Sequence, residues 1–238
     1  MRKACVVAVL YLVLDRAPAL AGRTSFGGLT TTDVVPDGSV ELESRVSDEN
    51  DKGSLHDRST SLWLAPAIGL SDCVELHLPV EMTWRSETGS RSDFTLSRFG
   101  ADVRYRFARS RIAPLFRFAL ERDVTVRNLG HIEIDLAVSY EVGVFQFLVD
   151  AGLTFEANRG GVHFEARPGA GVSVRVKPDV RLGAEVFGVR TFDTAAESWA
   201  VVGPNLAWTH GRFWFAAAFG IGIHNISSAA RLVWGVGF

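Results

Sequence analysis

The side chains able to do chemistry recur at every second position. Arg104 and Arg106, with Arg117 in the next apolar stretch, are preceded by Glu75, His77, Glu81 and Asp102 and followed by Glu133 and Asp135. In an extended strand, residues two apart share a face, so each set projects from one side of its own segment. If the segments pair side by side, a row of guanidinium groups stands against a row of carboxylates. The field between them would orient a small polar or anionic solute. The same rows can instead close on each other, because the planar fork of arginine takes carboxylates bidentately, and the space between them is then sealed. Arg167, Arg181 and Arg212 have the same parity and complete the charged set expected to line that space.

Other chemistries have less support. Nucleophilic hydrolysis needs a serine beside a histidine. His224-Asn225-Ile226-Ser227 and His56-Asp57-Arg58-Ser59 bring both types together, but in connections and off the alternate-residue spacing, and no G-x-S-x-G elbow occurs. His77, His131, His163 and His210 are scattered singly. Cys73 is the one cysteine beyond the leader described below, which leaves no thiolate cluster for zinc and no internal disulfide. G-x-G-x-x-G is absent, so Gly169-Ala170-Gly171, Gly220-Ile221-Gly222 and Gly235-Val236-Gly237 read as small positions where strands bend. No catalytic residue, metal or cofactor is expected.

The elements that must position the charged set are strands. Apolar residues alternate with polar ones from Val40 to Val46, Leu62 to Ile68, Val74 to Met82, Ala101 to Phe107, Ile112 to Leu120 and Ile132 to Tyr140. They continue from Phe145 to Phe155, Val162 to Val174, Val180 to Val186, Trp199 to Trp208, Phe213 to Ile221 and Arg231 to Phe238. That is about twelve segments, each near the length of a tilted strand crossing a bilayer. Pro66, Pro79, Pro114, Pro168 and Pro204 fall within them and are expected at bulges or strand ends, having no ladder donor. Tight turns at Ser71-Asp72, Arg109-Ser110, Glu141 to Gly143, Lys177 to Asp179 and Thr209 to Gly211 alternate with longer connections. The longer ones are Ser47 to Ser61, Arg85 to Ser92, Arg122 to Gly130, Asn158 to Gly161, Arg190 to Glu197 and His224 to Ser228. A soluble sandwich or lipocalin-like fold, the main alternative, gives no reason for this alternation.

The two ends agree. Met1-Arg2-Lys3, an apolar run to Leu14 and Ala19-Leu20-Ala21 have the form of a signal peptide, too short to span hydrocarbon as a helix. Its removal takes three basic residues from 25 and one acidic residue from 27, leaving 22 and 26, a net charge of −4. No basic patch points to nucleic acid. At the other end Leu232, Trp234, Val236 and Phe238 share the face of a terminal strand, and Phe238 is the expected signal to a barrel-assembly machinery. Trp63, Trp199, Trp208, Trp214, Trp234, Tyr105 and Tyr140 gather toward strand ends as interface girdles do, with Trp63 and Trp214 facing inward by parity.

The fold class expected is all-β, a transmembrane antiparallel up-and-down β-barrel of about 12 strands. It would comprise a cleaved signal peptide (1–21), a periplasmic N-terminal segment (22–39) and the barrel (40–238), set in the outer membrane of a Gram-negative bacterium among outer-membrane lipid. The expected role is a passive transporter or narrow channel for small polar, anionic or aromatic solutes. A non-conducting structural or surface-interaction barrel is the alternative, and a lipid-modifying enzyme the least supported reading.

Three stretches carry a family resemblance. Leu29 to Glu43, with Thr32-Asp33-Val34-Val35-Pro36-Asp37-Gly38 leading into Glu41-Leu42-Glu43, resembles the T-D-x-x-x-V-P-x-G-x-x-E-L-E opening of the phenol meta-pathway degradation-like outer-membrane transporters. Ala67 to Val80 is similar to that family's x-G-L-x-D-x-x-E-L-x-x-P hairpin, and Gly100 to Phe107 to its G-D-x-x-x-x-x-K/R-Y-x-F strand. The resemblance implies an outer-membrane, transporter-like barrel and brings no catalytic residue with it.

Overall fold

The computed structural model describes residues 24–51, 58–86, 93–126, 129–158, 161–192 and 198–238. Its strands are β1 (Val40–Asp51), β2 (Arg58–Ser71), β3 (Val74–His77), β4 (Val80–Ser86), β5 (Asp93–Arg106), β6 (Ile112–Asp123) and β7 (Gly130–Val142). They continue as β8 (Phe145–Asn158), β9 (Gly161–Lys177), β10 (Val180–Thr191), β11 (Trp199–His210), β12 (Phe213–His224) and β13 (Ile226–Gly237). Apart from β3 and β4, which do not pair with each other, successive strands pair antiparallel, and β1 also pairs with β13, so the sheet closes on itself. β3 and β4 are halves of one strand, both lying between β2 and β5, so the barrel has 12 strands.

Alternation sets which face meets which medium, and here it runs opposite to a water-soluble core. On β7, Asp135 is 2% exposed while the adjacent Leu136 is 56% exposed. Ile132, Val138 and Tyr140 face outward with Leu136, and His131 and Glu133 face inward with Asp135. A wall with apolar side chains outside and charges inside is stable only in oil, which removes the soluble sandwich and lipocalin-like readings. Outward aromatics mark both rims. Tyr105 and Phe107, Tyr140 and Phe147, and Trp208, Phe213 and Phe215 lie at the turn end. Trp84 with Phe94, and Phe155, Phe164 and Phe192, lie at the loop end.

Three expectations are corrected. The strands run on into the polar stretches: β1 reaches Asp51 and β2 begins at Arg58, and the connection expected at 224–228 shrinks to one residue. Asn225, alone between β12 and β13, makes its turn with φ 45°, a left-handed conformation that asparagine tolerates. Of the prolines, Pro79 splits a strand as expected. Pro66, Pro114, Pro168 and Pro204 instead stay inside continuous ladders, opposite Leu42, Val138, Ala151 and Ala184. A proline lacks only the donor; its carbonyl still accepts, as Pro66 does from Leu78 N and Pro114 from Phe107 N.

Candidate functional site in the barrel lumen

Cross-strand register brings most of the predicted charged set together. Arg104 stands opposite Arg117, and Arg117 opposite Asp135. Like charges directly opposite repel, so each guanidinium turns to acids. Arg117 donates from Nε to Asp102 Oδ2 at 2.7 Å and from Nη1 to Glu133 Oε2 at 2.7 Å and Asp135 Oδ2 at 2.6 Å. Arg167 reaches Glu133 Oε2 at 3.1 Å and Asp135 Oδ1 at 3.2 Å. Arg104 lies 3.3 Å from Glu75 and 3.6 Å from Asp102, and His77 Nε2 lies 2.6 Å from Glu75 Oε1. Glu81 pairs with Arg98 at 2.9 Å. The arginine row therefore does not face an acidic row across open space; the two are interleaved in one network on the β3–β9 wall.

Gly152 makes that network reachable. It sits between Asp135 and Arg167 in a cross-strand row, and a Cβ there would come within 2.2 Å of Asp135 Oδ1 and 3.2 Å of Arg167 Nε. Without a side chain at 152, Arg167 lies flat across β8.

Three residues of the expected set lie at the turn end, away from the Arg117 network. Arg106 is near the turn-end mouth, bonded to the Asp72 carbonyl at 3.0 Å and 3.7 Å from Asp33. Arg181 is at the same mouth, between Ser25 Oγ at 3.1 Å and Glu141 at 3.4 Å. Arg212 lies in the β11–β12 turn, its carbonyl accepting from Gly237 N. Arg106 and Arg181 keep inward parity, meeting Asp33 and Ser25 of the N-terminal segment, and only Arg212, between β11 and β12, lies beyond the reach of parity.

The largest departure is the segment expected to lie outside the barrel, residues 22–39. From Thr24 to Val35 it runs inside the lumen, with Phe26 and Val35 each 1% exposed, and Pro36 to Gly38 are exposed where it joins β1. Its path crosses the barrel from β1 toward β10 and β12. Val35 N donates to Glu75 Oε2, Thr32 Oγ1 meets Ser139 Oγ at 2.6 Å, and Thr30 N donates to Asp150 Oδ2 at 2.8 Å. Gly27 N and Gly28 N donate to the two oxygens of Glu185, both at 2.8 Å, and Arg231 holds the Gly28 carbonyl at 2.8 Å. Buried backbone donors need partners, and here carboxylates from three walls supply them. Small wall residues make the room. A Cβ at Gly69 would strike the Pro36 carbonyl at 1.9 Å, and one at Gly171 would strike the Phe26 ring at 2.6 Å.

On the loop side of this plug lies a cavity of about 550 Å³. Its floor includes Phe26, Gly28, Leu29 and Thr30, and its wall includes Arg45, Trp63, Phe187, Trp199, Trp214 and Arg231. Trp199 thus faces inward, packed on Phe187 with ring centroids 6.3 Å apart, rather than joining an interface girdle. Among the described residues no group of three or more His, Cys, Asp or Glu is placed to hold a metal ion.

An inside-out wall, a closed ladder of 12 antiparallel strands and a charged lumen decide the class. The fold is that of an outer-membrane β-barrel. The chain is similar to the translocator domain of the autotransporter NalP from Neisseria meningitidis, at 12% identity and TM-score 0.55 over 100% of this chain and 94% of that one. It is also similar to an outer-membrane channel from Pseudomonas putida F1, at 11% identity and TM-score 0.59 over 87% and 98%. The NanC porin is similar at 10% identity and TM-score 0.53 over 82% and 98%. No family model and no curated protein matches the chain.

Sequence reasoning missed Arg98 and the plug. Arg98 was hidden by a bulge: Ser97 is the extra residue between Leu96, opposite Met82, and Arg98, opposite Glu81, so the period of two slips there. The plug had a visible signal. Leu148, Phe187 and Val201 are apolar at inward positions, which a water-filled lumen does not need.

Proposed function

We propose that the chain is a passive outer-membrane transporter for small polar, anionic or aromatic solutes, closed at rest by its own N-terminal segment. The observation that carries this is the division of the lumen into an open loop-side cavity of about 550 Å³ and a periplasm-side plug formed by residues 24–35. A pathway one chain segment wide becomes continuous when that segment leaves. The plug is held by hydrogen bonds and small-residue packing, not by a covalent link, so its departure is a local opening.

The phenol meta-pathway degradation-like transporters are the family we assign it to. The support is the Leu29 to Glu43 stretch, which carries the resemblance and also forms half of the plug and the start of β1. The outer membrane of a Gram-negative bacterium is the proposed location, reached through a cleaved leader at 1–21. Outer-membrane lipid is the partner of the wall, and the barrel-assembly machinery is the partner of β13 and of Phe238 beside it. Phe238 N bonds to the Val40 carbonyl at 2.9 Å, beside the β1–β13 closure. We read the role as non-enzymatic, and what supports it is the pairing of Arg104, Arg117 and Arg167 with acids of the lumen.

Reconstitution in planar bilayers tests this. The full chain is expected to give rare, brief unitary steps, and a variant lacking residues 24–35 steady ones. A silent deletion variant, folded by heat-modifiable gel mobility, would favour the second reading. That reading, a non-conducting structural barrel, has one observation in its favour: Arg117 ties acids of β5 and β7 into one paired network on the lumen wall.

A further inference from the structure

We propose that the loop-side cavity contains an anion subsite, built on Arg45 and Arg231, that takes a small organic carboxylate with a ring-shaped body. This rests on the transport reading for its biological use, though not for its geometry.

Most arginines facing the cavity are consumed. Arg98, Arg104, Arg117 and Arg167 each have a carboxylate between 2.6 and 3.3 Å away. Arg45 and Arg231 differ, their paired carboxylates, Glu43 and Glu49, standing off at 3.8 and 3.7 Å. Both guanidinium groups lie on aromatic faces instead, Arg45 over Trp63 at 5.1 Å and Arg231 over Phe187 at 4.6 Å. A guanidinium stacked on a ring keeps its in-plane N–H groups for other partners: Arg231 spends Nη1 on the Gly28 carbonyl at 2.8 Å and keeps Nε unpartnered, while Glu43 stands 3.8 Å from Arg45.

The two are neighbours. Ser47 pairs with Arg231 and Arg45 with Val233, so the arginines stand diagonally on adjacent strands with both side chains in one cavity. The charged groups acting on Arg45 are Glu43 and three further arginines, Arg104, Arg117 and Arg231. Arg45 thus sits among more arginines than acids, while Arg231 faces the carboxylates of Glu49, Glu185 and Asp150 together with Arg167. The buried Nε atoms of Arg104 and Arg231 have no hydrogen-bond partner, leaving donors unfilled beside the same space. Of the cavity's acids, Glu133 and Asp135 are taken up by Arg117 and Arg167, while Glu43 and Glu49 lie on β1 beside the pair. Trp63, Trp199 and Phe187 supply flat apolar surface next to the guanidinium pair, which suits a ring attached to the carboxylate better than acetate.

Equilibrium dialysis of the refolded full chain against radiolabelled benzoate, with benzamide as the uncharged isostere, reads this directly. Benzoate is expected to bind saturably and benzamide at least tenfold more weakly. Arg45→Gln should weaken benzoate about 10- to 100-fold, the loss of a charge-assisted hydrogen bond. Arg231→Gln should act likewise and Arg45→Lys less, while Arg58→Gln, an exposed partner of Asp48 at the rim, should change nothing. Equal binding of benzoate and benzamide, or benzoate binding unmoved in both glutamine variants, overturns the subsite. If Arg45→Gln does not fold, Arg231→Gln and Arg45→Lys carry the test. Because dialysis reads binding and not current, a barrel that binds benzoate but never conducts removes the transport reading and leaves the subsite standing. One that conducts without binding does the reverse.

Discussion

Replacing Arg117 by methionine removes the hub of the lumen network while keeping most of the side-chain volume. Removing one partner of a buried ion pair costs about 3–5 kcal/mol, because the remaining charge is left desolvated. Arg117 holds three carboxylates, but the cost is not tripled. Glu133 and Asp135 keep Arg167 at 3.1 and 3.2 Å. The loss falls on Asp102, whose other arginine, Arg104, stands at 3.6 Å and whose Oδ1 already lacks a partner. The expected penalty is therefore about 3–4 kcal/mol. With a urea slope of about 2 kcal/mol per molar, the unfolding midpoint should fall by about 1.5–2 M. The assay is urea unfolding in phospholipid vesicles, followed by tryptophan fluorescence. Adding Asp102→Asn to Arg117→Met should restore at least half of the loss, since the unpaired charge is what costs. A single variant within about 0.5 kcal/mol of wild type, or a double variant whose losses simply add, would refute the assignment of Arg117 as hub.

Glu185→Ala frees the amides of Gly27 and Gly28, and at about 1.5–3 kcal/mol for a hydrogen bond to a charged group the vacated lumen should be populated at least tenfold more. Faster proteolysis within residues 24–35 of reconstituted protein, from the turn side, would register it. Gly152→Ala forces Asp135 away from a new Cβ and loosens Arg167, lowering stability by about 1–3 kcal/mol in the same urea assay. Single-tryptophan variants should separate by face: brominated lipid should quench Trp208 and Trp234 and spare Trp63 and Trp214, which are 7% and 2% exposed and point inward.

Much of the barrel was legible because one rule, alternation, governs every strand and because short turns alternate with the other connections. Asp102, Arg104, Arg117, Glu133, Asp135 and Arg167 were placed inward by parity alone. What parity cannot give is which neighbour each charge chooses. Arg117 reaches two acids on β7 and one on β5 because Arg104, directly opposite, excludes a simpler pairing. Parity also fails at a bulge, as at Ser97, and beyond strand ends, as at Arg212. The plug has no period at all: Thr24 to Val35 is ordered by carboxylates and glycines far away in sequence, Glu185 and Gly171 among them, so only the assembled wall fixes its course.

A cysteine lock bears most directly on closure by the chain's own N-terminal segment. Thr32 Oγ1 and Ser139 Oγ are 2.6 Å apart, within reach of a disulfide once both residues are cysteine. In a Thr32→Cys, Ser139→Cys, Cys73→Ser variant in planar bilayers, the oxidised barrel should be silent and reduction should bring unitary steps. Steps of the same size and frequency before and after reduction, with the disulfide verified by mass, would contradict closure by residues 24–35.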